Sequence, residues 1–133
     1  MTVIRGVALL GGLALAGCHL GTGVGSFAPA THAGGVPVSV ESRSARLDAE
    51  LLSVSDTGLL LASDSGLVFA PYRAIRGATF GQVSEEISKG EAPHAATRER
   101  LRLISRFPQG VSAERVRALL AAYHQDSLRV LEP

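Results

Sequence analysis

The sequence predicts an α+β protein: a small antiparallel β-meander or barrel followed by a C-terminal helical hairpin, preceded by a signal peptide and a flexible tether. Three observations carry that expectation. Between residues 38 and 80, apolar and polar residues alternate in short runs separated by turn residues, the pattern of half-buried strands. Beyond residue 97 the apolar spacing changes to three and four, the pattern of amphipathic helices. Residues 1–17 hold a single charge, Arg5, ahead of an apolar run from Gly6 to Gly17.

That first segment reads as an export address. A short positive start, an apolar run of ~7–15 residues and small residues at its end are the three parts of a secretion signal. The run is too short to cross a bilayer, which takes ~20 apolar residues. Gly6, Gly11, Gly12 and Gly17 also weaken any helix meant to persist. It closes on Leu15-Ala16-Gly17-Cys18, at the only cysteine of the chain. These four residues resemble the lipobox of bacterial lipoproteins. The resemblance implies that the Cys18 thiol receives a diacylglycerol, that residues 1–17 are cut away, and that the new amino terminus is acylated. Its partner is then the membrane, reached through the lipid on Cys18. Each buried methylene contributes ~0.8 kcal/mol, and two lipid signals already anchor stably. His19 stands where an aspartate would favour inner-membrane retention, so the resemblance points to the periplasmic face of the outer membrane. A single cysteine also excludes an intramolecular disulfide and a Cys-rich zinc site.

Residues 18–37 are rich in glycine and small residues and include proline, with no lasting apolar period, which is the composition of a lipidated flexible tether. For about 18 residues its expected span is ~20–25 Å. Gly21-Thr-Gly-Val-Gly25 belongs to this spacer. No strand pattern precedes it and no helix pattern follows, so it is not a nucleotide loop.

The small β domain is expected over residues 38–82. Val38 and Val40 alternate with Ser39 and Glu41, and Leu47, Ala49 and Leu51 alternate with Asp48 and Glu50. At Leu51-Leu52 the apolar parity slips by one residue, which predicts a β-bulge that bends the strand. Asp56-Thr57-Gly58 and Ser63-Asp64-Ser65-Gly66 are turn sequences. Leu59–Leu61 and Leu67–Ala70 are further strands, Pro71–Ala74 is a break, and Ile75–Phe80 is a last short strand. The order, including Leu67-Val-Phe-Ala-Pro-Tyr-Arg-Ala-Ile75, resembles Sm-like and related small β-barrels. Only an architecture is implied: a bent long strand, a hairpin, a short turn and a closing strand. The RNA-binding residues of Sm-like proteins have no counterpart here, and no nucleic-acid partner is expected.

Residues 83–96 read as a polar connector, with a helical turn near Ser84–Ile87, and residues 97–133 as the helical hairpin and tail. Leu101, Leu103, Ile104 and Phe107 fall in one arc of roughly 160°, with Arg98, Arg102 and Arg106 as a stripe opposite. Ser112 is the N-cap of the second helix, Glu114 favours its first turn, and Val116, Leu119, Leu120 and Tyr123 form its apolar face.

Function is less legible. The chain carries 13 basic and 12 acidic side chains, a net charge of +1, which argues against a general nucleic-acid binder. It lacks a nucleophile elbow, a phosphate loop and a His-Glu-x-x-His element, and His19, His32, His94 and His124 share no ligand spacing. No catalytic residue, metal ligand or cofactor is therefore assigned. Tyr72 and Arg73 could pair stacking with charge around a ligand, or be a rim tyrosine and a solvated arginine. Residues 98–117 hold six arginines against two glutamates. Arg98, Arg102 and Arg106 thus become candidates for contact with headgroups or an acidic partner, against the alternative of a solvated helix face. The expected protein is a non-catalytic, structural or adaptor lipoprotein with a possible envelope protein partner. The alternative is an envelope binding module whose β domain holds a small ligand or a cell-wall or anionic polymer.

Overall fold

The computed structural model describes residues 35–81, 83–88 and 90–133. The expected signal, Cys18, His19, His32 and nearly all of the expected tether lie outside these residues. Seven strands and two helices follow one another as β1 (Pro37–Glu41), β2 (Arg46–Val54), β3 (Gly58–Ser63), β4 (Gly66–Pro71), β5 (Gly77–Phe80), β6 (Val83–Ser88), α1 (Ala95–Ile104), α2 (Ala113–Ala122) and β7 (Arg129–Val130). A 3-10 turn at Tyr72–Ala74 separates β4 from β5. The fold is α+β, a mixed sheet with a C-terminal two-helix region.

The hydrogen-bonded order is β6-β5-β1-β2-β3-β4-β7. β1 pairs antiparallel with β2 on one side and with β5 on the other, so the chain returns to its own first strand instead of meandering onward. Each pairing among β1–β6 is antiparallel, and only β7 runs parallel to its neighbour β4. No ladder joins the two ends of this order among the described residues. Yet Ala70 of β4 and Ile87 of β6 sit in one apolar cluster with Val40, Leu61 and Phe80, so the sheet curls around a common interior. Leu101 of α1 completes that interior.

A second cluster lies on the outer face. Leu52, Leu60, Ala62 and Leu67 pack there under Leu119 of α2, flanked by Phe107, Val116 and Leu120. β3 is therefore buried along its whole length on both faces, which accounts for the unbroken Leu59–Leu61 run. The bulge expected at Leu51-Leu52 is present: the β2–β3 register shifts between Leu51 and Ser53. Leu51 faces the inner cluster and Leu52 the outer one, as neighbours in a strand do, and the shift then returns Val54 to the inner cluster, out of step with Leu47, Ala49 and Leu51. Hydrogen bonds that a regular ladder would distribute evenly are made here by the interhelical linker. The N–H groups of Arg106 and Phe107 donate to the carbonyls of Leu51 and Leu52 at 3.1 and 2.8 Å.

Three expectations are corrected. The polar connector with a helical turn at Ser84–Ile87 is instead strand β6, paired with β5. Its one deeply buried apolar residue, Ile87, gives no alternation strong enough to read against polar neighbours. Phe107 lies beyond the end of α1, so helical extrapolation no longer places it, and it turns to the outer cluster. Leu103 is 60% exposed. At ~100° per residue it lies about 200° from Leu101, on the far flank of the assumed arc. The face that α1 buries is centred on Leu101, and Arg98 and Arg102 flank it instead of opposing it.

Helix ends follow local chemistry. The Ser112 hydroxyl accepts from the Arg115 N–H at 3.2 Å, as expected of an N-cap. α2 ends in a Schellman motif: His124 N–H reaches Ala121 O at 3.1 Å and Gln125 N–H reaches Leu120 O at 2.9 Å. His124 takes the left-handed position with φ 55°. Gln125 then clamps β4, its Oε1 accepting from Leu67 N–H at 2.6 Å and its Nε2 donating to Leu67 O at 3.1 Å. A Cβ on Gly66 would lie 2.3 Å from Gln125 Oε1, and Gly66 has φ 114°, so glycine is required there.

Leu119→Ala should lower stability by about 2–5 kcal/mol, because it empties a fully buried site between α2 and the sheet. Leu103→Ala should shift it by less than about 0.5 kcal/mol, as expected of an exposed position. Urea unfolding of the two full-length variants checks both; equal losses would contradict the two-cluster packing.

Candidate functional site

The arginines separate into two groups that the sequence does not distinguish. Those of the helical region, exposed Arg117 apart, are committed. Arg98 donates to Pro93 O at 3.2 Å and lies 3.6 Å from the Asp56 carboxylate in the β2–β3 turn. Arg102 grips Glu99 through two bonds at 2.8 and 2.6 Å and also donates to Pro108 O. Arg100 pairs with Glu85 of β6, and Arg115 lies 5.0 Å from the centre of the Phe107 ring. Glu85 and Glu99 are held below the usual carboxylate range by the hydrogen bonds that Arg100 and Arg102 donate.

Arg106 is the most buried of this set. Its Nε lies 2.6 Å from Glu50 Oε1, and only 18% and 4% of the two side chains are exposed. Glu50 sits on the outer face of β2, paired in register with Ala62. Burial pushes its carboxyl above the ordinary value, against the charge and hydrogen bond of Arg106 and a bond from the Gly35 backbone. A Cβ at Gly35 would lie 2.5 Å from Glu50 Oε1, so the chain enters the domain pressed against this pair. The expected stripe of Arg98, Arg102 and Arg106 is thus a set of internal ties: the free donors needed to capture headgroups are engaged by Asp56, Glu99 and Glu50.

Tyr72 is likewise not a rim residue. It is 3% exposed, and its hydroxyl donates to Ser55 O at 2.8 Å. Burial is the main reason its pKa is pushed up to about 12; Asp56 adds to the shift and Arg98 opposes it. The group stays a proton donor in a fixed bond and offers no stacking surface.

Arg73 behaves differently. It is the exposed middle residue of the 3-10 turn, between buried Tyr72 and Ala74. With Arg43 and Arg76 it lines a concavity of about 460 Å³, closed by Ala74, Gly90 and Pro133. The backbone under these arginines is tied together. Arg43 lies in a tight turn in which Ser42 N–H donates to Ala45 O at 2.8 Å. Arg76 N–H donates to Glu41 O at 2.8 Å, joining the turn after β4 to the end of β1. Gly90, with φ 71°, donates its N–H to Ile75 O at 2.7 Å; a Cβ there would lie 3.1 Å from Arg73 O. Among the described residues, no carboxylate forms an ion pair with any of these three arginines. Glu41, the nearest acid in sequence to Arg43, is turned toward Arg46 at 3.9 Å.

A second groove of about 400 Å³ opens on the outer face beside the chain entry, lined by Pro37, Ser39, Asp48, Ser63, Asp64 and Thr79 among others. It holds carboxylates and hydroxyls, of which Asp48 lies 3.7 Å from the Arg46 guanidinium and Ser39 accepts from it at 3.0 Å. Among the described residues no three His, Cys, Asp or Glu side chains gather as metal ligands, and no helix is long and apolar enough to cross a membrane. His94 is the exposed residue before α1 and makes no capping bond.

Taken together, fold and site define a curled small β-sheet with two helices docked on it and an arginine-lined concavity at one pole. Comparison with protein-family models, with curated proteins and with solved structures finds no match.

Arg106→Leu should lower stability at pH 7 by about 3–5 kcal/mol by leaving the Glu50 carboxylate buried without its cation. The loss has a pH signature. Removing Arg106 raises the Glu50 pKa in the folded state still further above its unfolded value. The favourable contribution of the protonated form is then complete below about 4.5 and lost as pH rises. The gap between variant and native chain should therefore narrow as pH falls toward 4.5. Urea unfolding of both chains across pH 4.5–7.5 measures it, and a pH-independent gap would contradict a buried, charged Glu50.

Proposed function

We propose that this chain is a bacterial envelope lipoprotein with a non-catalytic, structural or adaptor role, anchored by lipid on Cys18 and sitting on the periplasmic face of the outer membrane. The observation that carries the reading is Leu15-Ala16-Gly17-Cys18, placed directly after a charged start and an apolar run, at the chain's only cysteine. The residues between Cys18 and Gly35 have the composition of a spacer, enough to lift a domain off headgroups. His19 favours outer over inner membrane. In the adaptor role the membrane is one partner and an envelope protein the other.

Cys18→Ser tests the anchor. The native chain should incorporate labelled fatty acid and fractionate with outer membranes, whereas the variant should take up none and retain the mass of residues 1–17. Unchanged mass and membrane retention, with no label in either chain, would sink the reading.

A further inference from the structure

We propose that Arg43, Arg73 and Arg76 form a recognition site for a phosphomonoester. The site stands on the folded domain and does not depend on the lipid anchor.

Three arguments converge. The first is charge. Three arginines line one concavity, and among the described residues no side-chain carboxylate forms an ion pair with any of them. The other arginines that line a comparable cavity, Arg98 and Arg102, share it with Asp56 and Glu99. Exposed arginines with no acid partner keep their donors available to an anion. A carboxylate brings about one negative charge, whereas a phosphomonoester brings ~1.5–2 and three strong acceptor oxygens. Each arginine offers a planar fork of donors that matches those oxygens, so three forks fit a tetrahedral dianion.

The second argument is preorganisation. Arg43, Arg73 and Arg76 stand on two turns, joined by the Arg76-to-Glu41 backbone bond and braced by Gly90. The buried Tyr72 hydroxyl fixes the turn that displays Arg73. Little backbone ordering is left to oppose binding. Tyr72, adjacent to a binding residue, is thus a positioning residue for Arg73.

The third is shape. At about 460 Å³ the concavity exceeds a bare phosphate and falls in the ~300–1,000 Å³ range of small-ligand sites. Its other lining residues are Ala74, Gly90 and Pro133, with no aromatic ring among them. Phosphate recognition of this kind can be met by a phosphorylated sugar or glycerol in solution, or by a lipid headgroup with a terminal phosphate.

The test uses the full chain carrying Cys18→Ser, with and without Arg43→Gln, Arg73→Gln and Arg76→Gln together. Arg117→Gln, a loss of exposed positive charge elsewhere, is the control. Circular dichroism should show the triple variant folded, since all three side chains are exposed. Calorimetry with glycerol 3-phosphate and glucose 6-phosphate reads soluble ligands. Flotation with phosphatidylcholine vesicles, with and without 20 mole per cent phosphatidic acid (roughly the anionic fraction needed to see ~1 kcal/mol per basic residue), reads the lipid source.

At least one phosphomonoester arm should show binding that weakens tenfold or more in the triple variant and less than twofold in Arg117→Gln. Response to the soluble esters assigns a free ligand, response to phosphatidic acid alone assigns a headgroup, and either supports the site. Absence of binding in both arms overturns it. So does binding that the triple variant retains, or that Arg117→Gln loses equally, since general attraction would then suffice.

Discussion

The β2 bulge, and the buried Glu50–Arg106 pair beside it, set the conditions that the rest of the molecule meets. A strand offers alternate side chains to two faces, and an extra residue resets which positions serve each. The extra residue between Leu51 and Ser53 returns Val54 to the inner cluster, and just past Glu50, where pairing with β1 ends, the carbonyls of Leu51 and Leu52 take partners from outside the sheet. Those carbonyls are satisfied by Arg106 and Phe107, the same linker that brings Arg106 to Glu50 and Phe107 to the outer cluster. The positions of α1 on β2 and α2 on β4 are thus referred to one point on one strand. Buried charge at such a point adds little net stability over an apolar pair of equal volume, but a mispositioned linker would leave a carboxylate buried alone. The pair discriminates against wrong docking more than it strengthens the right one.

Charge is distributed by the same logic. The +4 excess of residues 98–117 suggests an outward-facing basic surface, but α1 buries the flank that carries Arg98 and Arg102. Where α1 and the linker after it lie against β2, each guanidinium needs a partner, and Asp56, Glu99 and Glu50 supply them. Of the exposed arginines without such partners, three come from turns far apart in sequence, at 43, 73 and 76, and line one concavity. Their isolation from acids follows from topology: β1 returns against β5, which brings the turn after β1 beside the turn after β4.

Several elements could be read from the chain because their signal is local. Alternation at Val38–Val40 and Leu47–Leu51, the turn residues at 56–58 and 63–66, the parity slip at Leu51-Leu52 and the Ser112 cap each depend on neighbours within a few residues. What could not be read depends on contacts made at long range. β6 is polar because it is an edge strand with one buried apolar anchor, so its pattern resembles a connector. Arg73 is singled out by its place next to Tyr72, but its companions Arg43 and Arg76 carry no motif. Only the β1–β5 pairing makes them neighbours. The Gln125 clamp on Leu67 spans 58 residues, and nothing around Gln125 announces it.

Pro133 lines the same concavity as the three arginines. Any segment joined after it emerges beside them. An acidic epitope there would act as a tethered competitor at millimolar effective concentration, a regime in which weak ligands go undetected. The neutral place for a label is the turn at Gln109 and Gly110, exposed, with nothing within 4 Å of a Cβ at Gly110.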